Sequence, residues 1–203
     1  MSLHSVFVID DDLAVRDSLL TVLRGAGIRA RGFSSGVDFF ANLPQDSTAC
    51  VITDIRMPDM EGDEVVRRLA NLRGPSWPVI VITGHADVPM AVQLMKAGII
   101  DFIEKPFDPA KLIDVVQNCL SRLHEMDQEQ SVRGAIMDRL ARLTPREHQV
   151  FKALIQGSSN KEIAMSLDIS PRTVEVFRAK VMTKMEADSL SALVRAGLMV
   201  DTV

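Results

Sequence analysis

The chain is poor in cysteine and in aromatic rings: its 203 residues include two Cys, one Trp and no Tyr. Cys50 and Cys119 cannot build a disulfide framework, and both stand in apolar runs, the setting of buried thiols in a reducing compartment. No apolar run reaches the roughly 18 residues that a membrane span requires. The N-terminal MSLHSVFVIDDD lacks a basic region, and three aspartates cut its apolar run short, so no secretory leader is read there. Internal repeats and low-complexity tracts are absent as well. What remains is expected to be a soluble, cytoplasmic chain of one or two domains. With 47% apolar and 25% charged residues it is too apolar to be disordered.

The net charge of −4 hides an asymmetry. Residues 1–132 carry 12 Lys and Arg against 19 Asp and Glu, whereas residues 133–203 carry 11 against 8. An acidic first two-thirds and a basic last third suggest two domains with different partners, the second suited to a polyanion.

Five short apolar runs, Val6–Asp10, Ile28–Phe33, Ala49–Asp54, Val79–Thr83 and Ile100–Glu104, alternate with stretches whose apolar residues recur at helical spacing. The latter include Ala14–Ala26, Gly62–Leu72, Val88–Ala97 and Pro109–Leu123. Nearly continuous apolar strands are those covered on both faces. The pattern predicts an α/β domain: a doubly wound, flavodoxin-like, five-stranded parallel sheet over residues 1–124. Residues 125–141 are polar and read as a partly helical linker. From 142 to 203 strand signals vanish, and helical patterns at 145–156, 160–167, 171–185 and 189–199 predict a small all-α unit of four helices.

Doubly wound sheets take ligands beyond the carboxyl ends of their strands. Asp10, Asp11 and Asp12 follow the first strand and Asp54 ends the third, its expected neighbour. Carboxylates gathered there repel one another unless a hard cation such as Mg²⁺ (or Mn²⁺) lies among them. Thr83 adds a hydroxyl and Lys105 an ammonium for phosphoryl oxygens, while a carboxylate can itself accept a phosphoryl group. Asp12 reads as the cap of the helix that follows.

Four blocks, IDDD at 9–12, TDIRMPDMEG at 53–62, VITGHADVPMA at 81–91 and DFIEKPF at 101–107, resemble the signature of two-component receiver domains. The resemblance implies that Asp54 accepts a phosphoryl group from a sensor histidine kinase. It implies Mg²⁺ on Asp11, Asp54 and the backbone carbonyl of Arg56, with Asp10 acting through water. Thr83 and Lys105 would hold phosphoryl oxygens, and the Lys105–Pro106 bond would be cis. Thr83 and Phe102 would then form a switch: the threonine moves to the phosphoryl group, the ring swings inward, and the face made by Val88–Ala97 and Ile100–Glu104 becomes a homodimer contact. Phe102 stands where many relatives carry tyrosine, so the switch is one of packing without a phenol hydroxyl. Arg56 and His85 would flank the path of the attacking water and tune the lifetime of the phosphoryl group. Such a domain assists its own phosphorylation and dephosphorylation but is not otherwise an enzyme.

In the last third, Thr144-Pro145 with Glu147 has the form of a capping box with Pro at the first helical position. A short helix with Ile163, Ala164 and Leu167 on one face is followed by Asp168-Ile169-Ser170 and a second helix from Pro171, a helix-turn-helix pattern. On that second helix Val174, Val181 and Met185 form an inward stripe, while Arg172, Thr173, Arg178, Lys180 and Lys184 are polar groups able to meet phosphates. LTPRE, NKEIA and SPRTVEVFRAKVMTKM resemble the output domain of the FixJ, NarL and LuxR types, and with the receiver blocks the whole chain resembles a FixJ-type transcriptional regulator. By that resemblance double-stranded DNA is a partner, with Glu175, Val176 and Ala179 facing bases and Lys161, Arg172, Thr173 and Lys180 on phosphates. Glu175 stands where relatives often have lysine; a carboxylate there would accept from cytosine N4. The last helix would supply a dimer contact on DNA, and RNA polymerase is a further expected partner.

Two other readings compete. A phosphohydrolase of the haloacid-dehalogenase type would use Asp10 and Asp12 as its D-x-D pair but gives Asp54 no role and ignores residues 143–198. A receiver whose helical unit binds a protein rather than DNA is the other.

Overall fold

Period-two alternation along the strands determines which helices cover each face of the sheet. A computed structural model describes residues 5–43, 48–73, 77–84 and 88–200. Strands β1 (Ser5–Ile9), β2 (Ala30–Phe33), β3 (Ala49–Asp54), β4 (Val79–Thr83) and β5 (Asp101–Glu104) form one parallel sheet in the order β2-β1-β3-β4-β5. Helices α1 (Leu13–Gly25), α2 (Gly36–Ala41), α3 (Gly62–Arg73), α4 (Val88–Lys96) and α5 (Pro109–Ala141) connect or follow them. Phe7, Ile9, Val51, Val79 and Val81 point into one core, with Phe39 of α2, Val65 and Leu69 of α3 and Leu94 of α4. Their strand neighbours Val6, Val8, Cys50, Ile52, Ile80 and Ile82 point into the other, with Leu19 and Leu23 of α1 and Leu112 and Val116 of α5. Both cysteines are buried in that second core as free thiols, not joined in a disulfide.

The aromatic residues concentrate in the first core. Phe7 stacks on Trp77 at 5.7 Å between centroids, and Phe33 meets Phe39 edge to face at 5.3 Å. Helix α2 has only six residues, too few for a periodic pattern to stand out in the sequence. It is fixed by the Ser35 cap, whose hydroxyl accepts from the Asp38 amide, and by buried Phe39.

The chain divides into two compact units, Met1–Met126 and Asp127–Val203. Segment 125–141, expected to be partly helical, is helical throughout as the end of α5. Its Ile136 and Leu140 are buried in the core of the second unit. That core is closed by α6 (Pro145–Ile155), α7 (Asn160–Leu167), α8 (Pro171–Lys184) and α9 (Leu190–Val200) through Val150, Phe151, Leu154, Ile163, Val174, Val181 and Leu193. Gly157 ends α6 at φ +86°, where any side chain would be strained. Among the described residues no helix is long and apolar enough to cross a membrane.

Candidate functional site

The crevice of the first unit is built where parallel strands run out. β1 and β3 are neighbours in register, Ile9 opposite Thr53, so Asp10 and Asp54 leave the sheet side by side. Thr83 ends β4 opposite Glu104 of β5, and the Lys105 amide donates to the Thr83 carbonyl at 2.8 Å. The sheet thereby brings Lys105 to the two aspartates. Its Nζ lies 2.9 Å from Asp10 Oδ2 and 3.0 Å from Asp54 Oδ1. Asp10, Asp54 and Thr83 are all buried. The Lys105–Pro106 peptide is cis.

Each carboxylate has further support. Asp10 Oδ1 accepts from the Asp12 amide at 2.9 Å, and Arg16 donates to the Asp10 carbonyl at 2.6 Å. Asp54 Oδ2 accepts from the Arg56 amide at 3.2 Å, while the Arg56 side chain is exposed. Burial raises the Asp10 carboxyl above its ordinary value, partly offset by the hydrogen bond from Lys105. For Lys105, burial works against the charge, but hydrogen bonds to Asp10 and Asp54 outweigh it and hold the ammonium above its ordinary value.

Asp11 is exposed at the mouth of the crevice. Asp12 is the N-cap of α1 and accepts from the amides of Ala14 and Val15 at 2.8 and 3.2 Å. Both bonds fall on Oδ1, the capping role read for Asp12 from the sequence. Phe102 is half-buried against the aromatic core, and His85 lies outside the described residues.

Among the described residues no group of three or more His, Cys, Asp or Glu is placed as a ready cation cage. The donors present, paired carboxylates at a crevice mouth, still suit Mg²⁺, which takes one or two carboxylates and completes its shell with water and phosphate.

Sequence inspection missed Gly62. It is buried, its amide donates to the Ile55 carbonyl at 2.9 Å, and an added Cβ would stand 2.2 Å from the Asp54 carbonyl oxygen. The glycine in TDIRMPDMEG was the available signal.

In the second unit, Thr144 and Glu147 form a complete capping box, and Ser159 and Glu162 form another that the S-x-x-E spacing could have revealed. The Ser170 hydroxyl accepts from the Thr173 amide at 3.1 Å and starts α8. Val174, Val181 and Met185 are buried as the stripe required. The opposite side of α8 exposes Arg172, Glu175, Val176, Ala179 and Lys180, with Thr173 half-buried at its start and Lys161 exposed on α7. Lys180 Nζ lies 5.9 Å from the centre of the Phe177 ring.

Two of the basic residues are engaged within the protein. Arg178 donates to Asn160 Oδ1 at 3.3 Å, and Lys184 Nζ is 2.6 Å from Glu147 Oε2. The Lys184 hydrogen bond and the Thr144 amide hold the buried Glu147 carboxyl down at about 2. That pair joins residues 37 positions apart, beyond the reach of local spacing rules.

Residues 6–117 match the response regulator receiver domain family, and residues 141–196 match the bacterial regulatory proteins of the luxR family. The chain belongs to the two-component response regulators in which a receiver domain is joined to a LuxR-type DNA-binding domain, and it is a transcriptional regulator. Within that class it is 48% identical over 195 residues to the transcriptional regulatory protein FixJ of Azorhizobium caulinodans, covering 96% of this chain and 92% of the relative. The crystal structure of full-length FixJ from B. japonicum is 43% identical, with a TM-score of 0.61 and complete coverage of both chains. Response regulator StyR is 36% identical, with a TM-score of 0.83 and coverage of 96% and 98%. The receiver implies a sensor kinase as partner, and the LuxR-type domain implies DNA.

Proposed function

We propose that this regulator is switched by phosphorylation of Asp54 and that the switched form binds a two-fold DNA site as a homodimer in the cytoplasm. The observation that carries the reading is the Lys105 ammonium held between two buried carboxylates, 2.9 Å from Asp10 and 3.0 Å from Asp54. Residues 1–124 serve as receiver, 125–141 as the joining segment and 142–203 as the DNA-binding domain.

In the transfer, an Asp54 carboxylate oxygen attacks the phosphorus of a phosphohistidine on the sensor kinase. The new O–P bond forms as the N–P bond breaks, and the electron pair leaves with the imidazole. Such transfer depends on positioning and charge neutralisation. Asp11, Asp54 and the Arg56 carbonyl would hold Mg²⁺ or Mn²⁺, with Asp10 acting through water, and the ion supplies positive charge against the phosphoryl oxygens. Lys105 then moves from the Asp54 carboxylate to a phosphoryl oxygen, and the Thr83 hydroxyl donates to another. Replacing the singly charged carboxylate by an acyl phosphate of nearly two charges adds about one negative charge and three acceptor oxygens, which draw Thr83 inward, and Phe102 takes the vacated space. That repacking reshapes the α4–β5 face into the homodimer contact. Arg56 and His85 set how fast water hydrolyses the acyl phosphate.

Dimerisation raises the effective concentration of paired α8 helices on a two-fold operator. Lys161, Arg172, Thr173 and Lys180 meet phosphates, while Glu175, Val176 and Ala179 face the bases. Acetyl phosphate with Mg²⁺ is expected to load about one phosphoryl group per chain, to dimerise the protein and to tighten its grip on selected DNA. Asp54→Asn is expected to lose all three responses; a variant that responds as the parent does would refute the switch.

A further inference from the structure

The end of α8 is tied to the end of α5 by several polar contacts, one of which, Arg139 with Glu186, fold stability does not explain. Arg139, in the last turn of α5, places Nη2 2.6 Å from Glu186 Oε2. Lys184 Nζ donates to the Arg142 carbonyl at 3.1 Å, one of the oxygens left without a partner just past that helix end, and to Glu147 Oε2 at 2.6 Å. Glu147 in turn accepts from the Thr144 amide at 2.8 Å. Ile136 and Leu140, on the same stretch of α5, are buried in the unit's core.

Glu186 directly follows the helix cap Met185 and has φ +53°. This is the left-handed position at which helices ordinarily use glycine, because a side chain there is strained. The turn itself closes α8, the Glu186 amide donating to the Thr183 carbonyl at 3.1 Å and the Ala187 amide to the Met182 carbonyl at 3.0 Å. It does not call for a glutamate in place of glycine, and the ion pair that the glutamate makes is screened by water: the side chains of Arg139 and Glu186 are 32% and 58% exposed. Exposed pairs of this kind add little to stability. A glutamate kept where glycine would close the same turn with less strain points to a use for its side chain.

We propose that Arg139 and Glu186 are positioning residues for DNA recognition: with Lys184, they clamp the end of α8 to the end of α5 and so set the angle at which α8 meets the groove. The inference rests on the DNA-binding reading above and deepens it. Glu175 and Lys184 are nine residues apart, about 13 Å along the helix. A tilt of about 5° at the clamped end moves the base-facing end by about 1 Å, beyond the roughly 0.5 Å tolerance of a working site. Phosphate contacts made by flexible lysine and arginine side chains absorb such a shift, whereas base contacts do not. The clamp therefore acts on the ratio of specific to non-specific affinity.

The test uses the full-length chain treated with acetyl phosphate and Mg²⁺, a duplex selected from a random pool by the parent protein, and a scrambled duplex of the same length. Arg139→Gln and Glu186→Gln are each expected to lower the ratio of the two affinities about three- to five-fold, with the double variant no lower than either single. Simple electrostatics predicts the opposite pattern: losing the cation weakens, and losing the anion tightens, binding to both duplexes alike. That result, or an unchanged ratio, would overturn the clamp. Glu186→Gly separates the clamp from folding, since it relieves the positive φ. A melting temperature equal to or above the parent's with a lowered ratio supports the clamp, and a parental ratio in this variant overturns it. Should the parent enrich no duplex at all, the DNA-binding reading falls and takes the clamp with it.

Discussion

The cations around α8 fall into two groups that salt can tell apart. Lys161, Arg172 and Lys180 are exposed, and among the described residues none of them is in an ion pair. Lys184 is held 2.6 Å from Glu147 and faces inward to the α5–α6 corner. Each phosphate neutralised on duplex DNA contributes about 0.9 to the slope of log affinity against log salt. Three cations on each of two paired heads give a slope of about −5, a loss of roughly 10³-fold in affinity between 50 and 200 mM salt. Arg172→Ala removes one contact per head and should flatten the slope by about 2. Lys184→Met should leave the slope unchanged, because its charge is already met by Glu147. The assay is fluorescence anisotropy on a selected duplex across a KCl series, at a temperature where circular dichroism shows both variants folded. An unchanged slope for Arg172→Ala, or a flattening for Lys184→Met equal to that of Arg172→Ala, would refute this division of the cations.

Glu147, whose carboxyl is held at about 2 against an ordinary 4.5, contributes stability that is fully present above 4.5 and lost as pH falls through about 2. Glu147→Gln should therefore melt earlier than the parent at pH 7, and chemical denaturation across a pH series should show the two converging as pH approaches 2. Asp10 has the opposite sign: its raised carboxyl opposes folding at neutral pH, and the penalty fades as the group protonates on acidification. Asp10→Asn should raise the receiver's melting temperature at pH 7 while slowing phosphorylation by acetyl phosphate; a lower melting temperature would contradict the burial argument. Ser170→Ala removes the cap of α8 and should cost about 1 kcal/mol, read as a drop of about 4–8 °C in the melting of the helical unit.

The parts of the fold that the sequence disclosed were those whose physics is local. β3 and β4 carry unbroken apolar runs, Ala49–Ile52 and Val79–Ile82, and the caps Thr144 and Ser170 stand beside prolines. Helix α2 escaped notice because six residues hold less than two turns of pattern. The crevice residues were readable because receiver blocks keep their order and spacing, although Asp10 and Lys105 lie 95 positions apart. No such guide existed for Glu147 with Lys184 or for Arg139 with Glu186, which depend on how helices pack. Nor does a glutamate announce a left-handed backbone; Glu186 breaks the usual preference, and only the folded chain reveals it. The surplus of basic residues after position 132 suggested a polyanion, but which of them face outward was decided by burial and pairing.

The bare Cα of Gly62 resting on the Asp54 carbonyl has a mechanical meaning. With no side chain as a spacer and an amide bonded back to Ile55, the first turn of α3 lies directly against the end of β3, and any side chain at this position would have to part the two.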